Sequence, residues 1–401
     1  MIYFVLFLFF LGLSYHFDYL GKHTNKYTFY SVSLIILILL SGLRYRIGLD
    51  SIRYEGHHIE TPTLFELTAT IFQDSNHEPL FIILASIAKT ISPEFWVLQM
   101  LQSILVNTIF FRFIRLNTKN IFFGVLLYYV CLYINFNCEV MREACAVSML
   151  LLGWEYLKND KIIRFSFYCI LACGFHISSI LLLVIPILRI SPIWYLFKIN
   201  KYTVFILIGV LFVGYYIQAT FFDYLNLLSL GDSYNSKVNR YTDSDLASSV
   251  LNINGIISAV CRNIFFPFLS IILLKQHRIY RICNNLEPMV LLSLIFAVFT
   301  IPIAIFYRYT NYFLPFAIIA ICNFMYIPRI YLSTKKYIKL RHFGSWYIIL
   351  FPMLFFQIYS FNAKEGDSQF KAYMRYYPYS SIIFENKDVK RESLFLYRNA
   401  F

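Results

Sequence analysis

Four short groups of polar residues carry the types and spacing needed for phosphate and hydroxyl chemistry, and each interrupts an apolar stretch. The first is Arg46-Ile47-Gly48-Leu49-Asp50 with Tyr54 behind it. A guanidinium there suits an anionic headgroup or a diphosphate. Asp50, four residues on, either neutralises Arg46 or accepts a proton from a hydroxyl. The plainer reading is an ion pair that ends a helix. The second group is Met141-Arg142-Glu143, at the start of an apolar block. A charge pair at the rim of a bilayer avoids most of the cost of burying it at the centre. A helix N-terminus adds N–H donors suited to phosphate; an interface anchor is the alternative. The third is Phe175-His176, between two half-length apolar blocks. An imidazole with an ordinary pKa near 6.5 can take a proton from a hydroxyl at neutral pH. The fourth is Tyr307-Arg308-Tyr309 with Asn311 and Tyr312. It is either a cation among rings that bind a sugar face, or an aromatic belt.

Weaker signals accompany these. Glu78-Pro79 opens a short apolar block, as a base or a helix-terminal charge. Residues 371–384 hold Lys371, Tyr373, Arg375, Tyr376, Tyr377, Tyr379 and Phe384, an aromatic interface layer over a cleft. The stretch 220–254 carries Asp223, Asp232, Asp243 and Asp245 beside Lys237 and Arg240, without calcium-loop spacing. No nucleotide-binding glycine loop and no His-Glu-x-x-His occurs. Eight cysteines lie mostly inside apolar runs and form no Cys-x-x-Cys pair, so they read as small hydrophobes. An outer-face reaction without a nucleotide needs a substrate that is already activated, such as a polyprenyl-diphosphate sugar.

The elements that must position these groups are membrane helices. The chain is 59% hydrophobic and 20% aromatic, with a mean hydropathy of +0.61. Charged residues make up 14%, against roughly 25% in soluble domains. Apolar blocks run over 2–20, 28–43, 79–92, 94–112, 120–136, 142–157, 163–175, 177–190, 201–219, 255–274, 288–306, 310–332 and 345–362. Several fall short of the roughly 20 residues of a straight span, so they are tilted, broken or re-entrant. The first block lacks a basic leader and reads as a retained helix. The net charge of +13 sits largely in short connectors: 22–26, 112–119, 158–164, 198–201, 275–281 and 335–342. The positive-inside rule makes these cytoplasmic, and excludes nucleic acid as the reason for the charge. Alternation then places outside 44–78, 137–142, His176, 220–254, 307–311 and 363–401. One conflict remains between 44–78 and 112–119, which are separated by two apolar blocks. It is resolved if 79–92 is a half-helix that dips and returns, or pairs with a short partner at 61–73. The expected fold is all-α: one polytopic transmembrane domain over 1–401, with 12 crossings and a re-entrant or short helix. The outer segments are 44–78 with a short helix, the loop 220–254 and the aromatic tail 363–401.

The order of the motifs is specific even though each is short. Arg-x-Gly-x-Asp-x-x-x-Tyr at 46–54, Glu-Pro-Leu-Phe at 78–81 and Met-Arg-Glu at 141–143 come first. Phe-His at 175–176, the Arg/Tyr cluster at 308–312 and Tyr-Pro-Tyr at 377–379 follow. In this order they resemble the EpsG family, related in role to Wzy-type O-antigen and capsule polymerases. Glu143 stands where that family usually carries Gln. The resemblance implies a GT-C-like membrane glycosyltransferase at the periplasmic face of the bacterial inner membrane. It would move a glycan from undecaprenyl diphosphate onto a lipid-linked repeat unit, with no metal or other cofactor. Arg46, Arg142 and Arg308 would hold the diphosphates. His176 would deprotonate the acceptor hydroxyl, with Asp50 or Glu143 as competing bases. Tyr54, Glu78, Tyr312 and Tyr377 complete the expected substrate-binding set. Membrane lipid and a chain-length regulator are candidate partners. The rival readings are a lipid-linked oligosaccharide flippase, which should show two pseudo-repeated halves, and an O-acyltransferase built on one intramembrane His.

Overall fold

The computed structural model describes residues 2–75, 77–190, 202–218, 260–277, 286–331, 350, 351, 354 and 371–383. Regular structure among them is helical, and an isolated antiparallel bridge joins Arg44 to Ser381. The loop 220–254, most of the block 345–362, the connector 335–342 and Phe384 lie outside the described residues. Ile2–Tyr19, Phe95–Asn117 and Ala304–Phe324 are long and apolar enough to cross a membrane, and shorter apolar helices accompany them along the chain.

The chain packs as two compact units. The first comprises Met1–Asn117, Ile121–Arg189 and Tyr359–Phe401. Its helices are α1 (Ile2–Leu13), α2 (Lys26–Gly42), α3 (Ser51–Glu60), α4 (Ala69–Asp74) and α5 (Pro79–Ile91), then α6 (Phe95–Asn117), α7 (Ile121–Tyr128), α8 (Met141–Lys158), α9 (Ile162–Phe175) and α10 (Val184–Ile190). Helix α6 is the axis: α2, α5 and α8 pack on it, and α9 packs on α5 and α8. The second unit comprises Thr118–Asn120 and Ile190–Ile358. It holds α11 (Thr203–Gln218), α12 (Phe265–His277), α13 (Glu287–Phe299) and α14 (Tyr307–Tyr331), with α12 and α13 against α14.

Sequence explains where these helices start and stop. Glu78 is extended, and Pro79 takes the first helical position of α5, where its missing N–H costs nothing. His176 is also extended (φ −154°) and separates α9 from the 3-10 turn Ile177–Leu183. The block 120–136 runs three residues further than its apolar composition suggests. After α7 it widens into two π-helical turns, Tyr129–Tyr133 and Asn135–Glu139. Such turns are frequent at functional sites. Polar side chains fill the space around this widened segment. Asn107 donates to Asn137 Oδ1 (3.0 Å), Tyr128 donates to Asn107 Oδ1 (2.9 Å), and Tyr133 donates to the Leu37 carbonyl (2.6 Å). Each buried donor is thereby satisfied by α2, α6 or the segment itself, as a low-dielectric interior requires.

Candidate functional site

The first charged cluster forms where three chain breaks meet. Arg142 is the second residue of α8, Glu78 precedes α5, and His176 follows α9. Arg142 Nη1 donates to Glu78 Oε2 at 2.7 Å. Glu78 Oε1 lies 3.6 Å from His176 Nδ1 and accepts the Ile177 N–H at 3.3 Å. One carboxylate therefore pairs with a guanidinium on one side and faces an imidazole, just beyond hydrogen-bond distance, on the other. Glu78 is nearly enclosed, at 7% side-chain exposure, while Arg142 keeps 23%. Tyr54, one turn into α3, lies within electrostatic reach of Arg142. Burial raises the Tyr54 phenol above its usual range, and the Arg142 charge offsets this only in part. The approach is close: a Cβ on Gly174 would lie 2.7 Å from the Leu80 side chain, which would have to shift for α9 to keep its place at the start of α5.

Two histidines line the same cluster. The rings of His57 and His77 meet at a tilt of 49° with centroids 3.7 Å apart, and Tyr54 and Phe81 flank His77. Burial, then the Arg142 charge, then His58 pull the His57 imidazole down to about 4, so it is neutral at ordinary pH.

Arg46 and Asp50 stand on the turn between α2 and α3. Arg46 is left-handed (φ 47°), and its Nε lies 3.4 Å from Glu55 Oε2 with the guanidinium over the Tyr45 ring. Asp50 pairs with Arg53 at 3.8 Å, so of the two readings of the Arg46/Asp50 spacing the ion pair gives way to Arg46–Glu55 and Asp50–Arg53. Helical geometry accounts for the change, since Arg53 lies one turn from Asp50 on α3. Gly48 is left-handed too (φ 96°), and a Cβ on it would lie 2.1 Å from the Cys138 carbonyl oxygen. Neighbouring Arg44 is fully buried and donates to the Ser41 carbonyl and the Met141 sulfur, a staple between α2 and α8.

The EpsG family profile matches residues 27–381, from the start of α2 through the segment after Pro378. The chain belongs to the EpsG family. No curated protein and no solved structure matches it. With its apolar helices, EpsG membership makes this a membrane protein of polysaccharide biosynthesis.

In this EpsG chain the expected site residues divide between the units. Arg46, Asp50, Tyr54, Glu78, Arg142, Glu143, His176 and Tyr377 belong to the first unit. Glu143 is buried in the first turn of α8, and Tyr377 is exposed beside the Tyr373 ring. Arg308 and Tyr312 belong to the second unit, in the first turns of α14. There Tyr312 is fully buried against Tyr309, which stacks on Phe296. Among the described residues no group of three or more His, Cys, Asp or Glu is placed to hold a metal ion. Sequence reasoning passed over Glu139, which accepts the Leu49 N–H (2.8 Å) and the Asp50 N–H (3.3 Å), and takes the Tyr376 hydroxyl on its other oxygen. Its only sequence signal is an acid closing a run of apolar residues.

Proposed function

We propose that this EpsG protein is a polysaccharide polymerase. It transfers a glycan from polyprenyl diphosphate onto a lipid-linked repeat unit at the periplasmic face of the inner membrane. The fold we assign is GT-C-like, with about 12 crossings, and the glycosyl transfer needs no metal. The observation that carries the reading is the Glu78 carboxylate set between Arg142 and His176. An enzyme that expels a diphosphate needs a fixed positive charge at the leaving group. It also needs a base within reach of the acceptor hydroxyl. Arg142 supplies the first and His176 the second.

Glu78 faces Nδ1 of His176, which leaves Nε2 to accept a proton, as a carboxylate orients a histidine in acyl-transfer triads. In the transfer the acceptor oxygen bonds to the anomeric carbon. The bond from that carbon to the diphosphate oxygen breaks, and its electron pair leaves with the diphosphate. The acceptor proton goes to His176. A diphosphate competes with Glu78 for Arg142, so substrate binding frees the carboxylate to support the imidazolium as it forms. Arg46 adds positive charge for the lipid-linked substrates, Asp50 and Glu143 are the competing bases, and Arg308, in the second unit, is a separate candidate cation.

The test is complementation of a strain lacking the gene. The parent protein restores long polysaccharide, whereas Arg142→Ala leaves single repeat units on the cell surface. Long chains in the Arg142→Ala strain would end the assignment. Repeat units trapped on the inner leaflet of the deletion strain would identify a flippase instead.

A further inference from the structure

Glu139 has no part in the transfer just described, yet it is 8% exposed and its carboxylate ties the Leu49–Asp50 turn to Tyr376. A buried carboxylate is costly unless donors surround it. Here successive N–H groups of Leu49 and Asp50 converge on Oε2, a small backbone concavity of the kind that usually binds an anion. The protein fills that concavity with its own side chain. The opposite oxygen takes the Tyr376 hydroxyl, so a third segment is tied to the same group.

The C-terminal segment that brings Tyr376 runs along the turn as a strap. Gly48 N–H donates to the Arg375 carbonyl (3.1 Å), Tyr45 N–H to Ser380 (2.9 Å) and Ile382 N–H to Leu43 (3.0 Å). Beneath it Gly48 rests on the Cys138 carbonyl with no room for a side chain. The turn carrying Arg46 and Asp50 is thus pinned from below by residues 138–139 and from above by residues 375–382. Glu139 also lies three residues before Arg142, in the π-helical turn that leads into α8.

We propose that Glu139 is a positioning residue. Its carboxylate clamps the Gly48–Asp50 backbone, and through Tyr376 the strap, so that Arg46 and Asp50 are held at a fixed height beside the start of α8. The functional part of this rests on the polymerase reading; the clamp itself does not.

Cys138 provides a direct readout, because it is 4% exposed beneath Gly48. The purified full-length protein is treated with N-ethylmaleimide, and labelling at each cysteine is followed by peptide mass spectrometry. Loss of a charged acceptor shared by three donors should raise Cys138 labelling in Glu139→Ala by about tenfold or more. Glu139→Gln keeps an acceptor oxygen and should stay within about threefold of the parent, with Tyr376→Phe between them. Buried Cys145 and Cys169 should stay slow throughout, which separates a local opening from unfolding. Polymer length in cells should follow the same order, with Gln rescuing what Ala loses. Unchanged Cys138 labelling in Glu139→Ala overturns the clamp. Gln as defective as Ala in polymer length, with Cys138 protected, would show a role in proton transfer and also overturn it. The expected labelling together with normal polymer in every variant, Arg142→Ala included, supports the clamp and removes the polymerase reading.

Discussion

Glu78 serves two cationic or proton-bearing neighbours at once, and that makes it the most sensitive residue of the cluster. Glu78→Gln keeps the shape but leaves Arg142 facing a neutral amide in a nearly closed site. Removing one member of a buried pair costs about 3–5 kcal/mol; with Arg142 23% exposed, about 2–3 kcal/mol is expected. Thermal unfolding in detergent measures this, and a variant as stable as the parent would show that the pair is not a structural tie. Single-turnover transfer should fall by about 100-fold or more, since the histidine loses its orienting carboxylate. His57 gives a second prediction with a defined sign. Its folded pKa, about 4, lies below the 6.5 of the unfolded chain. Between those values the unfolded state binds more protons, so stability is present above pH 6.5 and is lost as pH falls toward 4. The loss of melting temperature from pH 6.5 to 4 should be smaller in His57→Gln than in the parent. Equal losses would mean that His57 does not titrate in this environment.

At the scale of elements, the positions of the breaks are what build the cluster. They were legible because the sequence marks them: Pro79 fixes the start of α5, and His176 falls between two half-length apolar blocks. Partners across long separations were not legible. Glu139 meets Leu49 and Asp50 about 90 residues away, and nothing in a single chain pairs those positions. The π-helical turns were also hidden, because an apolar run looks the same whether it is wound by i→i+4 or i→i+5 bonds. The exchange of Arg46–Asp50 for Arg46–Glu55 has a similar cause, since it depends on where α3 begins. Glycines record the tightest joints. Gly48→Ala would force a side chain into the left-handed region and against Cys138, at about 1–3 kcal/mol for the backbone alone. Gly56→Ala, in α3 with nothing within 4 Å, is the matched control and should cost nothing or stabilise slightly. Melting of the two variants compares the positions directly; equal stability would remove the Gly48 joint from the account. Gly174→Leu should separate α9 from α5 and reduce polymer length without touching a charged group.

Across the whole first unit, side-chain contacts fix the direction of each helix and hence the face on which the cluster lies. Tyr30, early in α2, donates to the carbonyl of Phe111, late in α6, while Ser41 and Ser103 meet at the other end, so α2 and α6 are antiparallel. Asn117, the last residue of α6, binds Trp154 and Lys158 at the end of α8. Helices α6 and α8 therefore finish together, while Arg142 lies at the opposite end of α8, about 24 Å away at 1.5 Å per residue. Helix α5 behaves differently from its neighbours. Phe81 near its start packs on the Tyr54 ring of α3; Lys89 near its end donates to the carbonyls of His58 and Ile59, again in α3. Phe95, which opens α6, faces His58 as well. Both ends of α5 thus meet the same short helix, and its 13 residues rise only about 20 Å against a hydrocarbon core of about 30 Å. We propose that a helix placed this way does not carry the chain across, the half-helix reading that would remove the parity conflict between the basic connectors. On that proposal the positive-inside rule assigns the end holding Lys158 and Lys161 to the cytoplasm and Arg53 to the outer end. Introduced cysteines test the assignment. Arg53 is 83% exposed and Asp160 is 68% exposed, so a thiol at either place is open to a reagent on its own side. In spheroplasts a membrane-impermeant maleimide should label Arg53→Cys above the native-cysteine background and should label Asp160→Cys only after permeabilisation. The reverse pattern would put Arg142, Glu78 and His176 on the cytoplasmic face, where an already exported repeat unit could not reach them.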